Sequence, residues 1–464
     1  MRKIAILMCV SLIGAAPSPD AKLRAIITPV SQAQLRHTIE KLVGFGTRHT
    51  LSSQSDPKRG IGAALAWTKA QFEGFGLPTV RPCETVTGSR IPKPTLVCDM
   101  VAIQRGTERP GDVVIITGHI DSRVSDVMNF ASDAPGANDD GSGVAALIEA
   151  ARVLSKHKFS GTIVYAALSG EEQGLYGGKT LADYAKAQGW NVVTVLNNDI
   201  IGGTCGSDGL CDKTHARVLS EGPRSQGQVA LMAATHALGG ENDAPSRNVS
   251  RFLDSLADRL RIGLDVRQIW RTDRFGRGGD HIPFLQLGYP AARISAAIEN
   301  YNWEHQDLRT ENGIKFGDTI DHVDFPYLAK MTKLNVAALA DIASAPPPPE
   351  PKVEGAVSTE TTVTWPEVRG ASAYKVWWRR TDASQWEISR TVGPDCPPKT
   401  AVRTSADKVV GENDPCRIVL PHIRIDDWVF GVSSVSKDGF ESPVASAVPG
   451  GAFKPYLPPV KAKR

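Results

Sequence analysis

One stretch of this chain limits what the rest can be. An apolar run, Val113 to Thr117, stops at His119-Ile120-Asp121. A Gly/Asn/Asp turn then carries Asp139 and Asp140 into a helical pattern of Val144, Leu147, Ile148, Ala151 and Leu154. A second apolar run, Thr162 to Leu168, stops at Glu171-Glu172, and a third, Val192 to Ile200, ends at Asp199. Imidazole and carboxylates thus recur where buried strands end. Strands alternating with helices predict an α/β fold, a doubly wound, mostly parallel sheet flanked by helices. In such a sheet ligands bind in the crevice at the carboxyl ends of the strands.

Those residue types are metal donors. Neutral imidazole and carboxylate oxygens suit zinc, and a His/Asp/Glu mixture without thiolate suits a catalytic site with open positions. A carboxylate such as Asp139 can bridge two ions about 3.5–4 Å apart. Asp121 lies two residues past His119, on the same side of an extended chain, and is placed to take the other imidazole N–H and fix its tautomer. Glu171 and Glu172 point different ways, so one can ligate while the other handles a proton. That second role needs a carboxyl group whose pKa is raised, as burial beside other carboxylates provides. Any one of these acids alone would be a solvated loop residue or a helix cap, and Asp139 and Asp140 do precede a helix. The ordered set at successive strand ends is what points to metal.

With these residues in view, the chain resembles the zinc aminopeptidase family that includes the bacterial leucyl aminopeptidases and, more distantly, glutamate carboxypeptidase and glutaminyl cyclase. The segments GHIDS, PGANDDGSG and SGEEQG carry the resemblance, with Asn198-Asp199 and a late His, over about residues 31–343. It implies a metallo-exopeptidase acting on peptides with two Zn2+ per chain. His119, Asp139, Glu172, Asp199 and the late His would be the ligands, Asp139 the bridge, and Glu171 the general base on the metal-bound water. The late ligand departs from the family's usual pattern, a His-Thr followed by an Asp-Thr. Here the segment reads Asn300-Tyr301-Asn302-Trp303-Glu304-His305-Gln306-Asp307, which makes His305 the choice and Asp307 its candidate partner. His281 and His322 are the alternatives, although Asp280-His281-Ile282-Pro283-Phe284 resembles a family segment that lies beside the site without ligating. An aminopeptidase is the nearest branch. A carboxypeptidase would need a basic pocket, for which Arg274, Arg277 and Arg293 are candidates. A glutaminyl cyclase would use one zinc. A non-catalytic binding protein on the same fold would have no need of all five ligands and Glu171.

The chain has 464 residues, too many for one ordinary core, so two domains are expected. The formal net charge of +3 implies no nucleic-acid or anionic-membrane partner. Met-Arg-Lys followed by an apolar run, Ile4 to Gly14, and then Ala15-Ala16-Pro17 reads as a secretory signal peptide within residues 1–21, cleaved near Ala16 or Ala21. That implies a secreted or periplasmic protein. Apart from Cys9 the cysteines fall into local pairs, Cys83/Cys98, Cys205/Cys211 and Cys396/Cys416, as expected of disulfides in an oxidising compartment. Cys205 and Cys211 could instead form half a zinc site, but no second thiol pair lies near them.

The peptidase-like domain is expected over 22–344. Within it the pattern predicts helices at Ala33–Leu42, Ile61–Phe75, about Gln226–Leu238 and Phe325–Ala343, and strands at Thr79–Val86 and Thr95–Gln104. A Pro-rich spacer follows over 345–352. Short aromatic and alternating runs over 353–450, with Trp365 and Tyr374 among them, predict a small all-β sandwich resembling a fibronectin type III module, and 451–464 a tail. That module has no cluster of His or acids to suggest catalysis; its plain role is a spacer or stabiliser, and partner or surface binding is the alternative.

Overall fold

The computed structural model of this chain describes residues 17–223, 235–393 and 415–448, with short strand pieces at 402–403, 409–410 and 451–452. The expected signal segment up to residue 16, residues 226–234 of one expected helix, Cys396 and most of the tail lie outside the described residues.

Eight strands make one sheet. In spatial order they are β1 (Thr79–Val80), β4 (Met100–Gln104), β6 (Gly161–Leu168), β5 (Arg109–His119), β7 (Asn191–Asn198), β10 (Ala291–Ala296), β8 (His215–Ser220) and β9 (Asp265–Ile269). The central four run parallel. β1 and β4 add an antiparallel edge, and the parallel pair β8–β9 joins antiparallel to β10. The central strands read as unbroken apolar runs because both faces are covered. Val113, Ile115, Val164, Ala166 and Val195 face one core with Leu181 and Phe284. Val114, Ile116, Tyr165 and Leu196 face the other, with α4 (Gly141–Leu154) and the long α9 (Phe325–Ser344). The helices α1 (Pro19–Ile27), α2 (Gln32–Val43) and α3 (Ile61–Gly74) cover that same face through Leu23, Leu35, Ile39 and Phe72.

The order places the crevice. From β5 the chain returns through α4 to β6 on one side. It then passes through α5 (Glu171–Gly174) and α6 (Tyr176–Ala187) to β7 on the other side of β5. The direction of winding reverses at β5, so a gap opens at the carboxyl ends of β5, β6 and β7. Gly118 lets α4 start there: a Cβ at this position would lie 2.7 Å from the Gly143 carbonyl carbon.

The two strands expected at 79–86 and 95–104 are each divided. Residues up to Val80 and from Met100 pair in the large sheet, while β2 (Cys83–Gly88) and β3 (Ile91–Cys98) form a separate hairpin. Pro82, which has no N–H to give a ladder, stands at the first break. Cys83–Cys98 closes that hairpin and Cys205–Cys211 the loop after β7, so the latter is a disulfide rather than half a zinc site.

Beyond α9 two antiparallel sheets enclose a common core. Lys352–Glu354, Glu360–Trp365 and Cys416–Pro421 form one, while Ile388–Val392, Ala373–Arg380, Trp428–Val435 and Ala445–Val448 run through the other. Trp365, Tyr374, Val376, Phe430 and Val432 fill the space between. The Pro-rich stretch is no free spacer: Pro346, Pro349 and Pro351 are buried, and Arg109 donates a hydrogen bond to the Ala345 carbonyl at 2.7 Å. The sandwich rests on α7 (Pro245–Leu260), just before which Asp243 accepts Arg379 Nη2 on both of its oxygens, at 2.7 and 2.9 Å.

Candidate metal centre

Each strand end delivers one donor to the crevice. His119 is the last residue of β5, and Asp199 follows β7. Asp139 comes from the turn before α4, and Glu172 from α5 directly after β6. His305 comes from the loop after β10, on a backbone held at φ +54°. A non-glycine residue in that left-handed region is strained and persists only where its surroundings fix it.

The donors form two sets that share Asp139: His119, Asp139 and Asp199, and Asp139, Glu172 and His305. Asp139 Oδ1 lies 3.0 Å from His119 Nε2, which is 3.8 Å from Asp199 Oδ1. Asp139 Oδ2 lies 3.0 Å from His305 Nε2, which is 3.1 Å from Glu172 Oε1. One oxygen of Asp139 therefore faces each set. Asp199 Oδ1 is buried without a hydrogen-bond partner among the described residues, as a donor awaiting a cation would be. The residues present fit a metal pair.

Burial works against a charged His305, but Glu172 and Asp139 push its imidazole up to about 10. Burial would raise Asp199 too, yet Arg293 at 2.9 Å and His119 hold it well below the usual carboxylate range. Glu171 belongs to neither donor set. Burial, together with the charges of Glu172 and Asp199, pushes its carboxyl well above the carboxylate range, against the opposing charge of His119. It lines the cavity of about 320 Å³ that contains the donors.

Two supporting roles differ from expectation. His119 Nδ1 meets the main-chain carbonyl of Asp121 at 3.1 Å, while the Asp121 carboxylate stands 3.6 Å away. That carboxylate instead accepts the backbone N–H groups of Glu171 and Glu172 at 3.3 and 3.2 Å. Asp121 thus fixes the Glu pair directly and His119 through its main chain, because the strand bends away after His119. Asp307 accepts the Ser125 hydroxyl, and Nδ1 of His305 receives Arg123 at 2.6 Å instead. The alternatives His281 and His322 lie outside both donor sets. His281 is buried against the Thr272 carbonyl at 2.7 Å, and His322 stacks on Trp303.

Three residues not read from sequence, together with Arg293 in a role other than the one expected of it, complete the site. Asp318 accepts the N–H groups of Asn138 and Asp139, the latter at 2.7 Å, and so aims the shared carboxylate. Arg293, fully buried on β10, pairs with Asp199 rather than lining an open pocket. Arg48 donates to the carbonyls of Ile120, Pro135 and Gly136, bracing the loop between two ligands. Arg123 lies 2.8 Å from Glu172 Oε2. Arg293 carried the signal of a charge inside an apolar run, while Arg48, Arg123 and Asp318 sit in polar, Gly-containing loops that gave none.

A shared carboxylate between two His/acid sets, with a spare buried carboxyl group beside them, is the donor arrangement of a metallopeptidase. The chain belongs to Peptidase family M28, whose sequence profile matches residues 99–338. A probable zinc metalloprotease of Leptosphaeria maculans is 40% identical over 94% of this chain and 98% of its own length. One of Pyrenophora tritici-repentis is 41% identical over 93% of this chain and 88% of its own. Among solved structures, the LapA aminopeptidase of Legionella pneumophila shares the fold at 20% identity and a TM-score of 0.51, covering 70% of this chain and 75% of that one.

Proposed function

We propose that this protein is a secreted exopeptidase that removes residues from the free N-terminus of peptides, with two zinc ions held by His119, Asp139, Asp199, Glu172 and His305. The observation that carries the reading is Asp139, whose two oxygens each face a separate His/acid set. Zinc bound there would polarise a carbonyl and lower the pKa of water. Glu171 takes the proton of the attacking water and returns it to the leaving amine, a task suited to a carboxyl group with a raised pKa. Asp121 holds Glu171 and Glu172 by their backbone amides, and Arg293 keeps Asp199 ionised.

Secretion is supported by the basic-then-apolar start and by the two disulfides. Helix α1 starts at Pro19 with Ser18 as its cap, so cleavage after Ala16 leaves it whole while cleavage after Ala21 removes its first turn. A fibronectin type III module is the reading we favour for the β-sandwich, on its two packed sheets around Trp365 and Tyr374.

The test is metal content of the purified mature protein, with hydrolysis of free and N-acetylated aminoacyl anilides with and without chelator. Near two zinc per chain and chelator-sensitive cleavage of only the free-amine substrates supports the proposal. Cleavage only at free C-termini would move it to the carboxypeptidase branch, and one zinc with cyclisation of N-terminal Gln to the cyclase. Neither metal nor turnover would leave a binding protein.

A further inference from the structure

The cavity that holds the donors is walled by arginines. Arg90, Arg123, Arg274 and Arg277 all line it. Arg274 and Arg277 also line a second cavity of about 390 Å³, whose other walls include Arg217, Arg271, Phe275 and Tyr301. Arg274 and Arg277 line both, so the second cavity adjoins the one that holds the donors.

The acids of that second cavity are outnumbered. Glu299 is buried and accepts Arg217, Arg274 at 3.1 Å and Arg277 at 2.8 Å. Asp273 takes Arg274 at 3.1 Å and is shared with Arg293. Arg217 and Arg274 spend further donors on the carbonyls of Ala296 and Gly278, which makes them framework. Arg277 remains a third exposed at its side chain. Arg271 is exposed, pairs with no carboxylate among the described residues, and has its guanidinium 6.0 Å over the ring of Phe275. Phe275 and Tyr301 are themselves 91% and 63% exposed. The Nη1 of Arg277 is taken by Glu299 at 2.8 Å and faces Glu304 at 3.6 Å. The Arg271 guanidinium and the remaining N–H groups of Arg277, in a cavity also lined by the open rings of Phe275 and Tyr301, supply charge-assisted donors for a planar carboxylate on a short apolar stem.

We propose that Arg271 and Arg277 form a carboxylate-reading subsite beside the metal centre. Given the aminopeptidase reading, this subsite accepts the residue that follows the scissile bond, through either an acidic side chain or the free α-carboxylate of a dipeptide. Arg277 lines the cavity of the donors as well as the second one, which sets the subsite next to the scissile position.

Three substrates separate the sources: Leu-Ala amide, Leu-Ala with a free carboxylate, and Leu-Glu amide. A carboxylate should raise kcat/KM about tenfold or more, the size of one charge-assisted hydrogen bond. A gain for Leu-Glu amide alone assigns the side chain, and a gain for the free dipeptide alone assigns the terminal carboxylate. Arg271→Gln with Arg277→Gln should collapse the ratio, and Arg277→Lys should keep part of it. A second readout needs no turnover: glutarate, but not glutaramide, should raise the melting temperature of the chelator-treated full chain, and the double variant should lose that shift. Equal kcat/KM for all three substrates without a glutarate shift overturns the subsite, as does a shift that survives the double variant. A glutarate shift without cleavage of any free-amine peptide would keep the subsite and sink the aminopeptidase reading.

Discussion

At the scale of single residues the site makes two separable demands, holding cations and moving a proton. Glu171 stands outside both donor sets, so Glu171→Gln should keep the metal content and lower kcat by about 10²–10⁴-fold, the range for losing a positioned acid/base. Metal analysis beside steady-state kinetics checks this, and full activity in the variant would remove Glu171 from the mechanism. The shared carboxylate behaves differently. Asp139→Ala should empty both sets, whereas His305→Ala should leave the His119/Asp199 set able to hold one ion, so the two variants should differ by about one ion per chain. Equal metal content would show that Asp139 is no bridge. His119, Glu171, Glu172 and Asp199 were legible because each follows the end of an apolar run, where a charge is visible in one dimension; Asp139 was read from the turn before α4, and His305 from the resemblance. Asp318 was not legible, and Arg293 was read as a pocket wall rather than as the partner of Asp199. Arg293 lies within an apolar strand and reaches Asp199 only because β10 lies beside β7, and Asp318 reaches Asp139 across 179 positions.

At the scale of elements, the junction of β5, α4 and β7 depends on one side chain. Asp140 caps α4 through Gly143 N–H at 2.8 Å, and also receives the N–H groups of His119 at 3.0 Å and Ile200 at 3.3 Å. Asp140→Ala should therefore lose more than an ordinary cap. A cap contributes about 1 kcal/mol, and two more buried donors left unpaired add about 1–3 kcal/mol each. Urea unfolding should show a loss of about 3 kcal/mol or more. A loss near 1 kcal/mol would mean that the junction relaxes around it. Helix α9 carries a second buried acid, Asp341, near Arg259 at 3.2 Å. Burial pushes its carboxyl from 3.8 up to about 7, against the pull of Arg259. Between those values the folded chain keeps a proton that the unfolded chain has lost, so stability falls as pH rises through this window and levels off above about 7. Asp341→Asn removes that dependence. Relative to the wild type it should gain with pH, by about 4 kcal/mol at most given about 1.4 kcal/mol per unit. A difference that does not change between pH 4 and 8 would refute it. The helices and central strands were readable from period and caps. The split of the first two strands was not, because which half joins the large sheet is decided by its neighbours, as the pairing of β4 with β6 shows.

At the scale of the whole molecule the β-sandwich looked from sequence like a module on a spacer, and the contacts make it part of the same body. Phe440 is buried in the core that contains α1, α4 and α9, far from the sandwich's own core. Arg379 and Asp243 are both buried, with Arg379 Nη2 donating to both carboxylate oxygens and Ser446 adding a hydrogen bond to Asp243 at 2.8 Å. Arg251 of the same helix α7 donates to the Ser384 carbonyl at 2.7 Å, and its guanidinium lies 5.4 Å from the ring of Trp270, next to Arg271. The sandwich therefore packs against the helix behind the arginine wall. A buried pair of this kind adds little over a well-packed apolar replacement, but removing one partner strands the other charge and costs about 3–5 kcal/mol. Asp243→Ala should lose that much, and Asp243→Ala with Arg379→Met should recover most of it, because no unpaired charge then remains. Calorimetry of the full chain should give one transition for both domains, since Phe440 and α7 join their cores. A cost below about 1 kcal/mol for Asp243→Ala, with two separate transitions in the wild type, would return the sandwich to the status of a tethered module and detach it from any influence on the cleft.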